Sequence, residues 1–153
     1  MKLKVGEEEV FLDPQNLEVD EVNMNDFLKK FPGIYNHYNT MWAKAQLIQR
    51  TVEDRYENIL NDRYVFFKQN DGGSDKLAEA KAKIHEGVVQ AKKTMQAAKY
   101  VTQQLHAYLR SLDKAHEDAL NLGYNIRKEM DKLYPQTISA SQDAKMAKLM
   151  QGE

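Results

Sequence analysis

Residues 77–134 read LAEAKAKIHEGVVQAKKTMQAAKYVTQQLHAYLRSLDKAHEDALNLGYNIRKEMDKLY. Steps of seven from Leu77 give Leu77, Ile84, Ala91, Ala98, Leu105, Leu112, Ala119, Ile126 and Leu133, with no polar member. A residue seven positions on returns to nearly the same side of an α-helix, so an unbroken apolar series of this kind is one face of a long helix. Companions four residues on (Val88, Met95, Leu109) and three on (Ala80, Val101, Tyr108, Ala115, Leu122) widen the stripe. That width belongs to a helix packed on more than one neighbour rather than to a two-stranded zipper. Gly87 weakens this helix without ending it. Gly123 reads as a C-terminal cap that stops it near Asn121, leaving a short last helix over 125–134 that Pro135 terminates. The same register running on through Ile126 and Leu133 also admits an unbroken helix to Tyr134.

Upstream, Asn70-Asp71-Gly72-Gly73-Ser74 combines turn formers with a capping serine. Before it, residues 34–69 contain no Pro or Gly, and Tyr38, Ala45, Val52, Ile59 and Phe66 again recur every seven residues, flanked by Tyr35, Trp42 and Tyr56. This predicts a first helix of about 35 residues, near 50 Å at ~1.5 Å per residue. Asn25 or Asp26 caps a short preceding helix with Phe27, Leu28 and Phe31, which Phe31-Pro32-Gly33 interrupts. No segment alternates with period two long enough to predict a strand. Two long helices joined by so short a loop lie antiparallel, and a two-helix hairpin covers only one side of each stripe. Either the short helices fold back to complete a four-helix bundle, or further copies cover what remains. The expectation is the second: an all-α fold, a long antiparallel helical hairpin with short flanking helices, assembled into a homo-oligomeric ring. Tyr124, Ile126, Met130 and Leu133 are the expected oligomerisation residues.

The composition fits that architecture. The 153 residues carry 22 Lys plus Arg against 23 Asp plus Glu, 42% hydrophobic residues, seven Gly, three Pro and no Cys. One domain is expected, and disulfides and thiolate chemistry are excluded. No stretch approaches the ~18 apolar residues of a membrane span, and Met1-Lys2-Leu3-Lys4 followed by Glu7-Glu8-Glu9 lacks the apolar core of a signal peptide. A cytoplasmic location follows as an expectation. Residues 1–26 hold Glu7, Glu8, Glu9, Asp13, Glu18, Asp20, Glu21 and Asp26 against Lys2 and Lys4, so residues 1–24 read as an acidic arm, 25–135 as the helical domain and 136–153 as a flexible tail.

Catalytic signatures are missing: there is no Gly-x-Ser-x-Gly, Gly-x-x-x-x-Gly-Lys or Gly-x-Gly-x-x-Gly. Asp113-Lys114-Ala115-His116 sets a carboxylate and an imidazole one turn apart, but a di-iron bundle needs two such pairs, and His37, His85 and His106 supply no second one. Neither a metal nor a cofactor is expected, and the chain is not expected to be an enzyme. Binding fits better. Lys81, Lys92 and Lys99, spaced by eleven and seven, fall close to one helix face and form a row that can follow phosphates. The end of the first helix adds Arg55, Arg63 and Lys68 among Tyr56, Tyr64, Phe66 and Phe67, a mixture of cations and flat rings suited to single-stranded nucleic acid. Against this, lysines on long helices are ordinarily their solvated face, and Phe66, on the seven-residue series, and Trp42, flanking it, are both expected in the core.

Val10-Phe11-Leu12-Asp13, the helix closing in Leu60-Asn61-Asp62-Arg63-Tyr64-Val65-Phe66-Phe67, the Asp71-Gly72-Gly73 turn, and Gly123-Tyr124-Asn125-Ile126-Arg127 followed by Met130 resemble the UvsY recombination mediators of tailed phages. The resemblance covers roughly residues 10–135. It implies a helical protein forming a closed ring of six or seven copies, without catalytic activity, in the host cytoplasm. Such a protein binds single-stranded DNA and helps a RecA-like recombinase displace the single-strand binding protein. The family's DNA-binding segment, Leu-Lys-Ala-Arg-Leu, places its arginine at Arg63. Asn61 stands where the family has lysine, beside Asp62, so the cationic role falls to Lys68, Arg55 or the lysines of the next helix. The competing reading is a scaffolding coiled coil with protein partners only, which needs no basic face.

Overall fold

The computed structural model describes residues 1–133. The expected tail, 136–153, lies outside the described residues, as does the stop at Pro135. The order is β1 (Lys2–Val5), β2 (Glu8–Phe11), a 3₁₀ turn (Pro14–Leu17), α1 (Met24–Asp71), α2 (Asp75–Ile84) and α3 (Glu86–Leu133). The fold is mostly helical but not all-α, because β1 and β2 pair antiparallel with Leu3 opposite Val10 and Val5 opposite Glu8. Gly6, at φ 64°, takes the left-handed place in the two-residue loop between them. Leu3, Val5, Val10 and Leu12 are buried while Lys2, Lys4, Glu9 and Phe11 are exposed. That is a period of two, but the four residues of β1 show it only twice and those of β2 only once.

At 48 residues each, α1 and α3 are about 70 Å long at ~1.5 Å per residue. They run antiparallel, with Phe31 stacked on His116 at 4.1 Å, Tyr38 edge-on to Tyr108 at 4.6 Å and Trp42 stacked on His106 at 5.3 Å. Leu105 and Leu112 between them are fully buried, each stabilising by about 2 kcal/mol. The β-hairpin lies against this middle section and shares its core. One tyrosine from each helix holds it there. The Tyr38 hydroxyl donates to the Phe11 carbonyl at 2.7 Å, and the Tyr108 hydroxyl donates to the Asp13 carbonyl at 2.7 Å while accepting from the Asn16 amide. Burial holds the Tyr108 phenol well above its ordinary range. The acidic N-terminal segment is therefore also a folded strap.

Three helix boundaries differ from the sequence expectation. No short helix ends at Phe31; α1 runs through Pro32 and Gly33. An internal proline costs about 3 kcal/mol. Here Pro32 and Gly33 are exposed, so the carbonyl freed at Leu28 can be hydrated. The buried side carries the ladder Phe27, Phe31 and Tyr35, with centroids 5.7 and 5.5 Å apart, docked on α3. Aromatic side chains bury enough surface to offset the lost hydrogen bond. Gly123 does not cap a helix either, and no separate last helix forms. It is buried within α3, where a Cβ would stand 3.2 Å from Met24 Sδ, so its smallness admits the start of α1. The break on this side comes instead at His85, in extended conformation between α2 and α3. Its Nδ1 accepts the Gly87 N–H at 3.1 Å and caps the new helix, and a Cβ on Gly87 would crowd that ring at 3.3 Å.

The apolar series is buried only in part. Tyr38 and Ala45 on α1, and Leu105, Leu112 and Ala119 on α3, are buried. At the turn end Phe66, Leu77 and Ile84 are exposed, Ile84 by 78%, and at the other end Leu133 is 75% exposed. Phe66 is thus outside the core in which its heptad position placed it. The stripe outlasts the surface that covers it, since α3 runs ten residues beyond Gly123, the level at which α1 starts.

Candidate nucleic-acid interface

The residues expected to hold DNA divide into two groups. Tyr64 and Lys68 from the end of α1 meet Asp75, the first residue of α2. The tyrosine hydroxyl donates at 3.1 Å and the ammonium forms an ion pair with the same oxygen, Oδ1. Lys81, two turns into α2, is paired with Asp71 at the end of α1. These contacts close the Gly72-Gly73 turn, Gly72 being left-handed at φ 57°. Bonds from Lys68 and Tyr64 hold the Asp75 carboxyl below its ordinary value of 3.8. The bond to Asp75 in turn raises both Tyr64 and Lys68. The structure brings Tyr64, Lys68 and Lys81 together around two carboxylates, which offset their charge. Arg63 is half-buried on α1. Arg55 lines a cleft of about 290 Å³ between α1 and α3, with Val52, Ile59, Gly87 and Gln90.

The second group lies on α3. Lys92 and Lys99 are exposed, and among the described residues neither takes part in an ion pair. Lys93, which stands outside the spaced row, and Arg110, which the sequence reading did not single out, share both properties. Residues 87–112 contain Lys92, Lys93, Lys99 and Arg110 and not one Asp or Glu. Residues 76–99, with six Lys against Glu79 and Glu86, already mark the centre of the chain as basic, and the acid-free window lies at and beyond the end of that stretch. Tyr100 is 52% exposed on the same helix, whereas Trp42 is half-buried against His106 and its indole N–H meets no acceptor among the described residues.

Of the expected oligomerisation residues, Tyr124, Met130 and Leu133 are exposed and Ile126 is half-buried beside the cluster of Met24, Phe27, Ala115 and Ala119. Among the described residues no three His, Asp or Glu side chains gather as metal ligands, and His116 lies flat on Phe31. No helix of the described residues is long and apolar enough to cross a membrane. No protein-family model matches this chain, and neither a curated protein nor a solved structure matches it.

Proposed function

We propose that the chain is a recombination mediator: a self-associating helical hairpin that binds single-stranded DNA and promotes loading of a RecA-like recombinase onto strands covered by single-strand binding protein. The observation that carries the DNA-binding part is the run of exposed cations on α3, Lys92, Lys93, Lys99 and Arg110, with no carboxylate in the same 26 residues, 87–112. An unpaired ammonium releases counterions when it meets a phosphate, whereas one already paired must first give up its carboxylate. The exposed apolar positions at both ends of the hairpin support self-association into a ring, which repeats the cationic face once per copy. Repetition raises the effective concentration of free sites after the first contact, so weak phosphate contacts sum to useful affinity. DNA wrapped in this way holds a competing binding protein less well and offers the recombinase an ordered track. The part expected for the segment near Arg63 passes to α3 in this reading, because the acids at the turn neutralise Lys68 and Lys81.

Titration of a labelled deoxythymidine oligonucleotide at increasing salt tests the proposal. Binding is expected at low salt, with log affinity falling linearly against log salt by about 0.7 per phosphate contact. Lys92→Gln, Lys93→Gln and Lys99→Gln together lower both affinity and slope, whereas the scaffolding alternative needs none of these charges. Absence of binding at low salt, or binding indifferent to salt, refutes the mediator reading.

A further inference from the structure

We infer that the single strand lies across both long helices, on an acid-free belt at the middle of the hairpin made by Arg50 of α1 with Lys99 and Arg110 of α3, and continued beyond its turn-side edge by Lys92 and Lys93. This rests on the DNA-binding reading above and gives that site its place. All 23 acidic residues fall outside two windows, 27–52 and 87–112. The windows are far apart in sequence, but folding sets them side by side: Tyr38 meets Tyr108 and Trp42 meets His106, so 35–52 runs antiparallel to 95–112. Neither window alone marks a site. Their coincidence produces a section of the rod, about 25 Å long at ~1.5 Å per residue, to which neither helix contributes a carboxylate.

The strap closes one side of that section and leaves another open. It brings Glu7, Glu8 and Glu9, and Glu8 takes Lys44 in an ion pair at 2.8 Å, so Lys44 is already neutralised. Elsewhere around the section Gln46, Gln49, Arg50 and Glu53 line a shallow cleft with Thr102 of α3. Glu53 borders the belt and accepts from the Gln49 amide at 2.9 Å. Arg50, Lys92, Lys93, Lys99 and Arg110 are all exposed and, among the described residues, form no ion pair. Tyr100, next to Lys99 in sequence and 52% exposed, supplies a flat ring at the edge of this face, and the glutamines Gln46, Gln96 and Gln103 supply donors and acceptors without charge. Guanidinium and ammonium groups for the backbone with a ring for bases favour a single strand over a duplex, whose bases are stacked out of reach.

Trp42, the sole tryptophan, stacks on His106 inside the belt and is a built-in reporter. Full-length protein is titrated with a deoxythymidine oligonucleotide, following Trp42 emission and the anisotropy of a labelled strand, with circular dichroism on every variant. Binding of the unaltered protein is expected to change Trp42 emission. Arg50→Gln/Lys99→Gln/Arg110→Gln is expected to weaken binding about tenfold or more and flatten the salt slope by about 2, three contacts at ~0.7 each. Removing three charges elsewhere, by Lys2→Gln/Lys76→Gln/Lys83→Gln, is expected to stay within about twofold. If the belt variant binds normally while Arg55→Gln/Arg63→Gln/Lys68→Gln does not, the strand lies at the turn end and the belt is wrong, with DNA binding intact. If a duplex of equal length binds as tightly and alters Trp42 in the same way, the assignment to single strands is wrong. If the unaltered protein binds no oligonucleotide at low salt, the functional reading itself has failed.

Discussion

Asp75 shows how one side chain decides what its neighbours can do. Its carboxylate takes both the Lys68 ammonium and the Tyr64 hydroxyl, so two residues that spacing assigned to DNA are engaged in fastening α1 to α2. The three titrations follow with definite signs. Asp75 is depressed below 3.8, so its contribution to stability is complete above that pH and disappears as pH falls through the lowered value. Lys68 is raised above 10.5 and Tyr64 above 10.0, so theirs is complete below those values and disappears as pH rises through the raised ones. Asp75→Asn is expected to speed amide exchange across Gly72–Leu77 at pH 7 and to leave that exchange insensitive to protonation of the carboxyl below pH 4. Unchanged exchange in this variant contradicts a fastening role for Asp75. Composition and spacing revealed that cations and aromatics gather near the turn, but the reach of two carboxylates across it appears only in three dimensions. The absence of acids from 27–52 and 87–112, by contrast, was legible throughout.

Among the elements, the two long helices were legible because the seven-residue series integrates over dozens of positions, and no local accident overturns it. Their boundaries were not, since each depends on one residue with a tertiary reason. Pro32 stays helical because Phe27, Phe31 and Tyr35 anchor the turns around it on α3. Gly123 serves the approach of Met24 rather than a cap, and His85 breaks the second helix through its own ring. The strands escaped notice because Glu7, Glu8 and Glu9 mark the segment by charge while its alternation is too brief to register. Gly33 offers an element-scale test. It is exposed and helical in α1, and an added Cβ would meet nothing within 4 Å. Gly33→Ala is expected to stabilise the fold by about 1 kcal/mol, seen as a higher urea midpoint at unchanged slope. A lower midpoint would mean that α1 is broken at Pro32 after all.

For the whole molecule, what matters is that the core is shorter than the helices. The strap and the α1–α3 contact bury the middle, and the apolar series continues into solvent at both ends, through Phe66, Leu77 and Ile84 at one and Met130 and Leu133 at the other. Different surfaces at opposite ends suit a heterologous contact, and such contacts close into rings when the rotation allows. The belt sits between the ends, so assembly through them would leave it open and repeat it around the ring. In this account self-association and strand binding are therefore one property, the first multiplying the second. Light scattering on the full-length protein at micromolar concentration, alone and with a deoxythymidine oligonucleotide, tests that link most directly. A mass of several chains is expected, reduced to one by Met130→Glu/Leu133→Glu together with a loss of oligonucleotide affinity. A single-chain mass for the unaltered protein, or tight binding retained by the dissociated variant, would contradict it.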